Sequence, residues 1–170
     1  FNTMKGGYEA ALVNLRRFGI RLYTTFILGY DGDTVETFRE VSAFAERHRF
    51  YIAAAYLSAG RVLHVHHKVY LPTYGMFDEG RFFAWGDAIR AFDTPWGRAG
   101  MLICEDFWHA SPPYLLWLDG ADVLLMQSAS PGRGLDAGEQ LGSSRWVEHV
   151  NQAYASLFTD FVAHTNKAGF

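Results

Sequence analysis

Two short runs in this chain, Gly100-Met-Leu-Ile103 and Val123-Leu-Leu-Met126, contain no polar side chain. A strand with one wet face alternates apolar and polar residues, so uninterrupted runs suit strands covered on both faces. Strands of that kind belong to a sheet packed between other layers, which restricts the fold more than any other feature here.

The remaining segments supply layers to do the covering. Residues 8–18 have a helical apolar rhythm that stops at Gly19, and residues 21–28, rich in Thr, Phe and Ile, read as a strand. Asp33 or Thr34 caps a helix reaching about residue 47, with Val35, Phe38, Val41 and Ala45 on one stripe. Residues 52–57 and 61–67 flank Ser58-Ala-Gly60 as a β-hairpin. Residues 77–93 read as a loop holding at most one helical turn. Beyond them come a strand (98–104), a helix (113–119), a strand (123–127), a helix (143–158) and a strand (161–165). The alternation predicts an α/β fold with a mixed β-sheet covered by helices.

Cys104 is the only cysteine, and it ends an apolar run, Gly100-Met-Leu-Ile-Cys104-Glu105-Asp106. The two carboxylates cannot continue a core-facing strand, so the thiol sits at a strand's carboxyl end, where α/β folds place their chemistry. A buried structural thiol is the commoner fate of a single cysteine. The neighbouring sequence decides against it.

Three segments follow one another: Lys68-Val-Tyr-Leu-Pro72-Thr-Tyr-Gly-Met-Phe-Asp78-Glu79, then the cysteine run, then Gln127-Ser-Ala-Ser-Pro131. Together they resemble the nitrilase, or carbon–nitrogen hydrolase, superfamily, above all its amidases and the glutamine-hydrolysing domain of NAD synthetases. The resemblance runs from about Ala55 onward and implies part of an α-β-β-α sandwich. It also implies a cysteine amidase in which Cys104 attacks the carbonyl to form a thioester and Lys68 supplies the stabilising cation. Glu79 matches a second glutamate that positions the lysine and substrate. These residue types suit the task. Amide hydrolysis needs a nucleophile and a cation for the developing oxyanion, and a thiol becomes a good nucleophile once a nearby positive charge draws its pKa below about 8.5. By the same resemblance Trp108, Ser128 and Tyr74 are candidates to line a pocket for a small amide or glutamine-like substrate.

The family pattern also calls for a general-base glutamate in a Pro-Glu context upstream of the lysine. Residues 1–50 contain no proline, so that motif is missing. The general base is thus unassigned, and Asp31 and Asp33, the nearest carboxylates at the end of the expected 21–28 strand, are its candidate stand-ins. Residues from Asn14 to Thr34, and on to about residue 54, resemble instead a late strand–loop–helix unit of a radical SAM barrel. The iron–sulfur cluster of such a barrel needs three cysteines, so this piece would lack its reactive centre. The expectation is therefore a join near residues 53–56, with a radical SAM-like fragment at 1–54 and a partial hydrolase domain at 55–170. A non-catalytic chimeric or truncated polypeptide is the alternative to an active hydrolase.

Composition excludes other classes. A net charge of −3, with no basic cluster beyond Arg16-Arg17, argues against nucleic acid. No apolar stretch approaches the length of a membrane span. A single cysteine allows no intrachain disulfide and fits a reducing cytoplasm. His64-Val-His66-His67 places at most two imidazoles on one strand face, too few for an ordinary catalytic zinc site, so neither metal nor cofactor is expected. Because the family continues through further strands, an uncovered apolar face and self-association are expected as well.

Overall fold

The computed structural model describes residues 8–20, 22, 34–132 and 142–166. Its elements in chain order are α1 (Tyr8–Arg17), α2 (Val35–His48), β1 (Phe50–Tyr51), β2 (Ala53–Ser58), β3 (Arg61–His67), α3 (Glu79–Phe82), β4 (Phe83–Ala84), β5 (Ala91–Thr94), β6 (Gly97–Ile103), a 3-10 turn (Cys104–Trp108), α4 (Ser111–Leu118), β7 (Val123–Ser128), α5 (Gly142–Phe158) and β8 (Phe161–Asn166). The expected 21–28 strand, apart from Leu22, and both Asp31 and Asp33 lie outside the described residues. No helix among those described is long and apolar enough to cross a membrane.

The chain divides into two compact bodies. One holds α1, α2, β1 and the segment Leu71–Trp85; the other holds Ala53–Tyr70 and the residues from Gly86 onward.

In the first body α2 begins with a reciprocal cap. The hydroxyl of Thr34 accepts from the Thr37 amide, and the Thr34 amide donates to the Thr37 hydroxyl at 3.1 Å. The helix ends at Arg49, which turns left-handed at φ 42° and donates to Ala45 O. Val41 and His48 of α2 are buried with Phe50, but Val35 is 69% exposed. The expected stripe thus fails at its first residue, because the burial on this helix lies over its later turns. β1 and β4 pair in parallel, Phe50 with Phe83 and Tyr51 with Ala84.

The second body carries the predicted sheet. β5 is antiparallel to β6, and β6, β7 and β8 run parallel in the order β5-β6-β7-β8. On one face Leu102, Leu124 and Met126 pack with Phe107, with Leu116 of α4 and with Tyr154 of α5. On the other, Phe92, Ala99 and Met101 pack against Ala54 and Tyr56 of the β2–β3 hairpin. That hairpin turns through Ala59 (φ 47°) and Gly60 (φ 72°), the two left-handed residues of a tight twisted turn. The layers of this body are therefore helix, sheet and hairpin. Residues 99–102 of β6 are buried on both faces, as their sequence requires. β7 meets the expectation on one face only: Leu124 and Met126 are buried while Val123 and Leu125 are half-buried, because the hairpin lies over β5 and β6.

Two departures from the sequence reading bear on the central sheet. Residues 91–94 form β5 where a loop was expected, since Ala-Phe-Asp-Thr is too short to show an alternating pattern. β6 stops at Ile103, one residue early, because Cys104 already has turned to positive φ.

Helix α4 sits so close to β6 that a Cβ on Gly100 would lie 2.5 Å from Leu116 Cδ1. Leu116 is fully buried and has nowhere to move. Gly100→Ala is expected to cost roughly 1–3 kcal/mol of stability, read as a lower urea midpoint. An unchanged midpoint would contradict this packing.

Candidate active site

The parallel strands β6, β7 and β8 all finish on one edge of the sheet. Ile103 pairs with Gln127, and Ser128 pairs with Asn166, so Cys104, Ser128 and Asn166 leave the sheet at about the same level. This is the edge on which open α/β sheets bind ligands. Cys104 opens the 3-10 turn at φ 47°, a conformation that non-glycine residues seldom adopt. Strain of that kind persists only where surrounding bonds hold it. Here the holding bond comes from Asp106, whose Oδ2 accepts from the Ile103 amide at 3.1 Å.

Lys68 follows the last residue of β3 and is only 2% exposed. Its carbonyl accepts from the Gly86 amide at 2.8 Å. The approach needs a glycine: a Cβ at Gly86 would stand 2.2 Å from the His67 carbonyl oxygen. Asp106, fully buried, gathers the same stretch of chain. Its Oδ1 accepts from the amides of Val69 at 3.0 Å and Tyr70 at 2.8 Å, and its Oδ2 accepts from His66 Nε2 at 2.9 Å. One carboxylate thus grips the backbone just after Lys68 and just before Cys104. The two expected residues stand at the ends of strands fastened to each other.

The other candidates are placed more variously. Trp108 ends the 3-10 turn and is 39% exposed. Ser128 Oγ lies 2.9 Å from His164 Nε2 and donates to Asn166 Oδ1 at 3.1 Å, while His164 Nδ1 lies 3.1 Å from Asn151 Oδ1 on α5. Burial pushes the His164 imidazole below its ordinary pKa. Glu79 and Tyr74 belong to the first body. Glu79 is the first residue of α3 and its amide donates to Pro72 O at 3.0 Å; Tyr74 is exposed and meets Phe77 edge-on.

Asp106, His164, Asn151 and Asn166 escaped the sequence reading, and His66 was weighed there only as a metal ligand. Asp106 carried a signal, its position two residues after the cysteine; His164, Asn151 and Asn166 show none until the strands are aligned.

Within the histidine run of β3, His66 bonds to Asp106 and His64 is turned to packing. His64 stacks flat on Phe92, with ring centroids 4.2 Å apart, and its Nε2 is buried without a hydrogen-bond partner. Burial lowers its pKa first, and the nearby His66 and His67 add to the effect. Among the described residues no group of three or more His, Cys, Asp or Glu side chains is arranged to hold a metal.

His64 and His164 therefore fold as neutral imidazoles. The unfolded chain binds protons near pH 6.5 while the folded one resists, so their contribution is complete above that pH and is lost as pH falls below it. The melting temperature is expected to drop between pH 7.5 and pH 5, and His64→Phe should flatten that slope. A slope unchanged by the substitution would contradict the burial of His64.

Comparison with known proteins gives the site its context. The family model described as carbon–nitrogen hydrolase matches residues 26–170. The glutamine-dependent NAD(+) synthetase of Thermotoga maritima is 33% identical over 112 residues, 63% of this chain and 19% of that protein. The chain thus spans about a fifth of the length of this curated relative. The solved glutamine-dependent NAD+ synthetase of Acinetobacter baumannii superposes with a TM-score of 0.63 at 21% identity, covering 95% of this chain and 35% of the other. An amidase from Nesterenkonia sp. AN1 superposes with a TM-score of 0.53 at 18% identity, over 95% and 70% of the two chains. These likenesses confirm the mixed α/β architecture.

They give no support to a radical SAM fragment. The family match begins well before the expected seam at 53–56 and crosses it without a break. A capped amphipathic helix after a strand is common to many α/β folds, so a unit of that size does not discriminate among them. With most of its length matched by one family model, this chain belongs to the carbon–nitrogen hydrolases.

Proposed function

We propose that the chain hydrolyses a small amide, of aliphatic or glutamine-like type, through a thioester on Cys104. The observation that carries this reading is the joined pair of strand ends, which sets a half-exposed cysteine in a strained turn beside the segment of a buried lysine. The thiolate attacks the carbonyl carbon, and the ammonium of Lys68 faces the negative charge that develops on oxygen. Collapse of that intermediate breaks the carbon–nitrogen bond and the amine leaves with the proton that a base had taken from the thiol; water, giving its proton to the same base, then cleaves the thioester to a carboxylic acid and frees the sulfur. Ser128 and Trp108 line the approach to the sulfur. The sequence offers Asp31 and Asp33 as stand-ins for the base.

Support comes from the family, and from the Nesterenkonia amidase, whose structure shows acrylamide added to its active-site cysteine. The test is direct. The purified chain, incubated with glutamine and with short aliphatic amides, is expected to release ammonia and to gain the acyl mass on Cys104. Cys104→Ala should abolish both signals, and Lys68→Gln should slow release by roughly 100-fold or more, as the loss of one oxyanion donor does. Ammonia release that survives Cys104→Ala would refute the assignment. Acrylamide should label Cys104 in the native protein, and failure to do so would count against an activated thiol.

A further inference from the structure

We propose that Asp106 is the positioning residue of this site, fixing how far the ammonium of Lys68 stands from the sulfur of Cys104 by holding the backbone beside both. The proposal rests on the reading of Cys104 and Lys68 as nucleophile and cation. Asp106 touches neither the sulfur's strand end nor the lysine by chance of sequence, for its four donors come from three separate places in the chain.

A carboxylate offers about four acceptor positions. Asp106 spends them on the amides of Val69, Tyr70 and Ile103 and on the ring N–H of His66. His66 and Val69 bracket Lys68 on either side, so the α-carbon of the lysine is pinned between two bonds to one group. Ile103 immediately precedes Cys104, whose φ of 47° has to be held against relaxation. The carboxylate oxygens are a bond angle apart, and this short rigid link therefore sets the spacing of the two chain segments. Because the group is fully buried, water does not replace a lost donor. A change here should be felt as a misplaced cation, and so as a less acidic thiol.

Cys104 alkylation by iodoacetamide from pH 5.5 to 9.5, with a thermal melt of each variant, provides the test in the full chain. Lys68→Gln is expected to raise the pH of half-maximal alkylation and to slow the reaction at pH 7 about tenfold. Asp106→Asn, still folded by its melt, should shift the profile in the same direction by a comparable amount. The double variant should be no slower than Lys68→Gln alone, since two residues acting through one effect do not add. A purely structural staple would lower the melt and leave the profile in place.

If Lys68→Gln moves the profile and a folded Asp106→Asn does not, or if their effects multiply, positioning by Asp106 is overturned while the cation survives. If Lys68→Gln itself leaves the profile at wild type, the nucleophile–cation reading fails and takes this proposal with it. Should Asp106→Asn not fold, His66→Leu removes one of the four donors. It must then shift the profile upward, and an unmoved profile overturns the proposal.

Discussion

A charged carboxylate taken wholly out of water costs several kcal/mol unless donors surround it, and Asp106 is buried entirely. That single requirement orders much of the second body. The donors it needs come from the end of β3, from the two residues after Lys68 and from the last residue of β6. The hairpin and the sheet must therefore meet at one fixed place. Apolar contact between Ala54, Tyr56, Phe92 and Met101 brings the two layers together but tolerates sliding. The hydrogen bonds to Asp106 do not, because each depends on distance and angle. Burial thus supplies the attraction between the layers, and the carboxylate supplies their register.

The same bond network explains how a cysteine is kept at a positive φ. Left-handed backbone costs a non-glycine residue about 1–3 kcal/mol and relaxes wherever it is free to. At Cys104 it is fenced on both sides. Ile103 before it is held by Asp106 and by its pairing with Gln127, and Phe107 after it is fully buried, its carbonyl taking the Tyr154 hydroxyl at 2.8 Å. The turn is short because both of its ends are anchored. Cys104 is thereby held at the edge where the parallel strands finish.

What the sequence disclosed follows from the range of the forces involved. The runs at 100–103 and 123–126 marked central strands because two-sided burial leaves its signature in every residue. The Ser-Ala-Gly hairpin and the Thr34 cap were legible because turns and caps are settled within a few residues. β5 was missed: four residues give no period, and its identity comes from pairing with β6. The Val35 position was misjudged because an amphipathic stripe says which side of a helix is apolar, not how far along the neighbouring layer extends. The cysteine and lysine could be picked out from motifs, but the bonds that join their two chain segments belong to Asp106 and span 36 to 40 residues of chain toward β3. Motif order named the candidates, and only folding gave the bonds between the segments that carry them.

Proton counting at the neighbouring polar cluster carries the argument one step further. Asn166 Oδ1 accepts from the Ser130 amide at 3.0 Å and from the Ser128 hydroxyl at 3.1 Å. Ser128 has a single proton, and that bond consumes it. The 2.9 Å contact with His164 must then run the other way, with Nε2–H donating to Ser128 Oγ. A neutral imidazole, favoured by burial here, holds only one ring proton, so Nδ1 is bare and calls for a donor from the Asn151 amide. The outline of an amide is the same with its NH2 group turned toward the ring as with its oxygen, so the donor is within reach. Among the described residues Ser128 is left with one unused lone pair and no free proton. The carboxyl edge of β7 therefore presents an acceptor, which suits an N–H group and disfavours a carbonyl. That polarity is compatible with the proposed reading, in which the substrate carbonyl turns toward Lys68 and its nitrogen away from it.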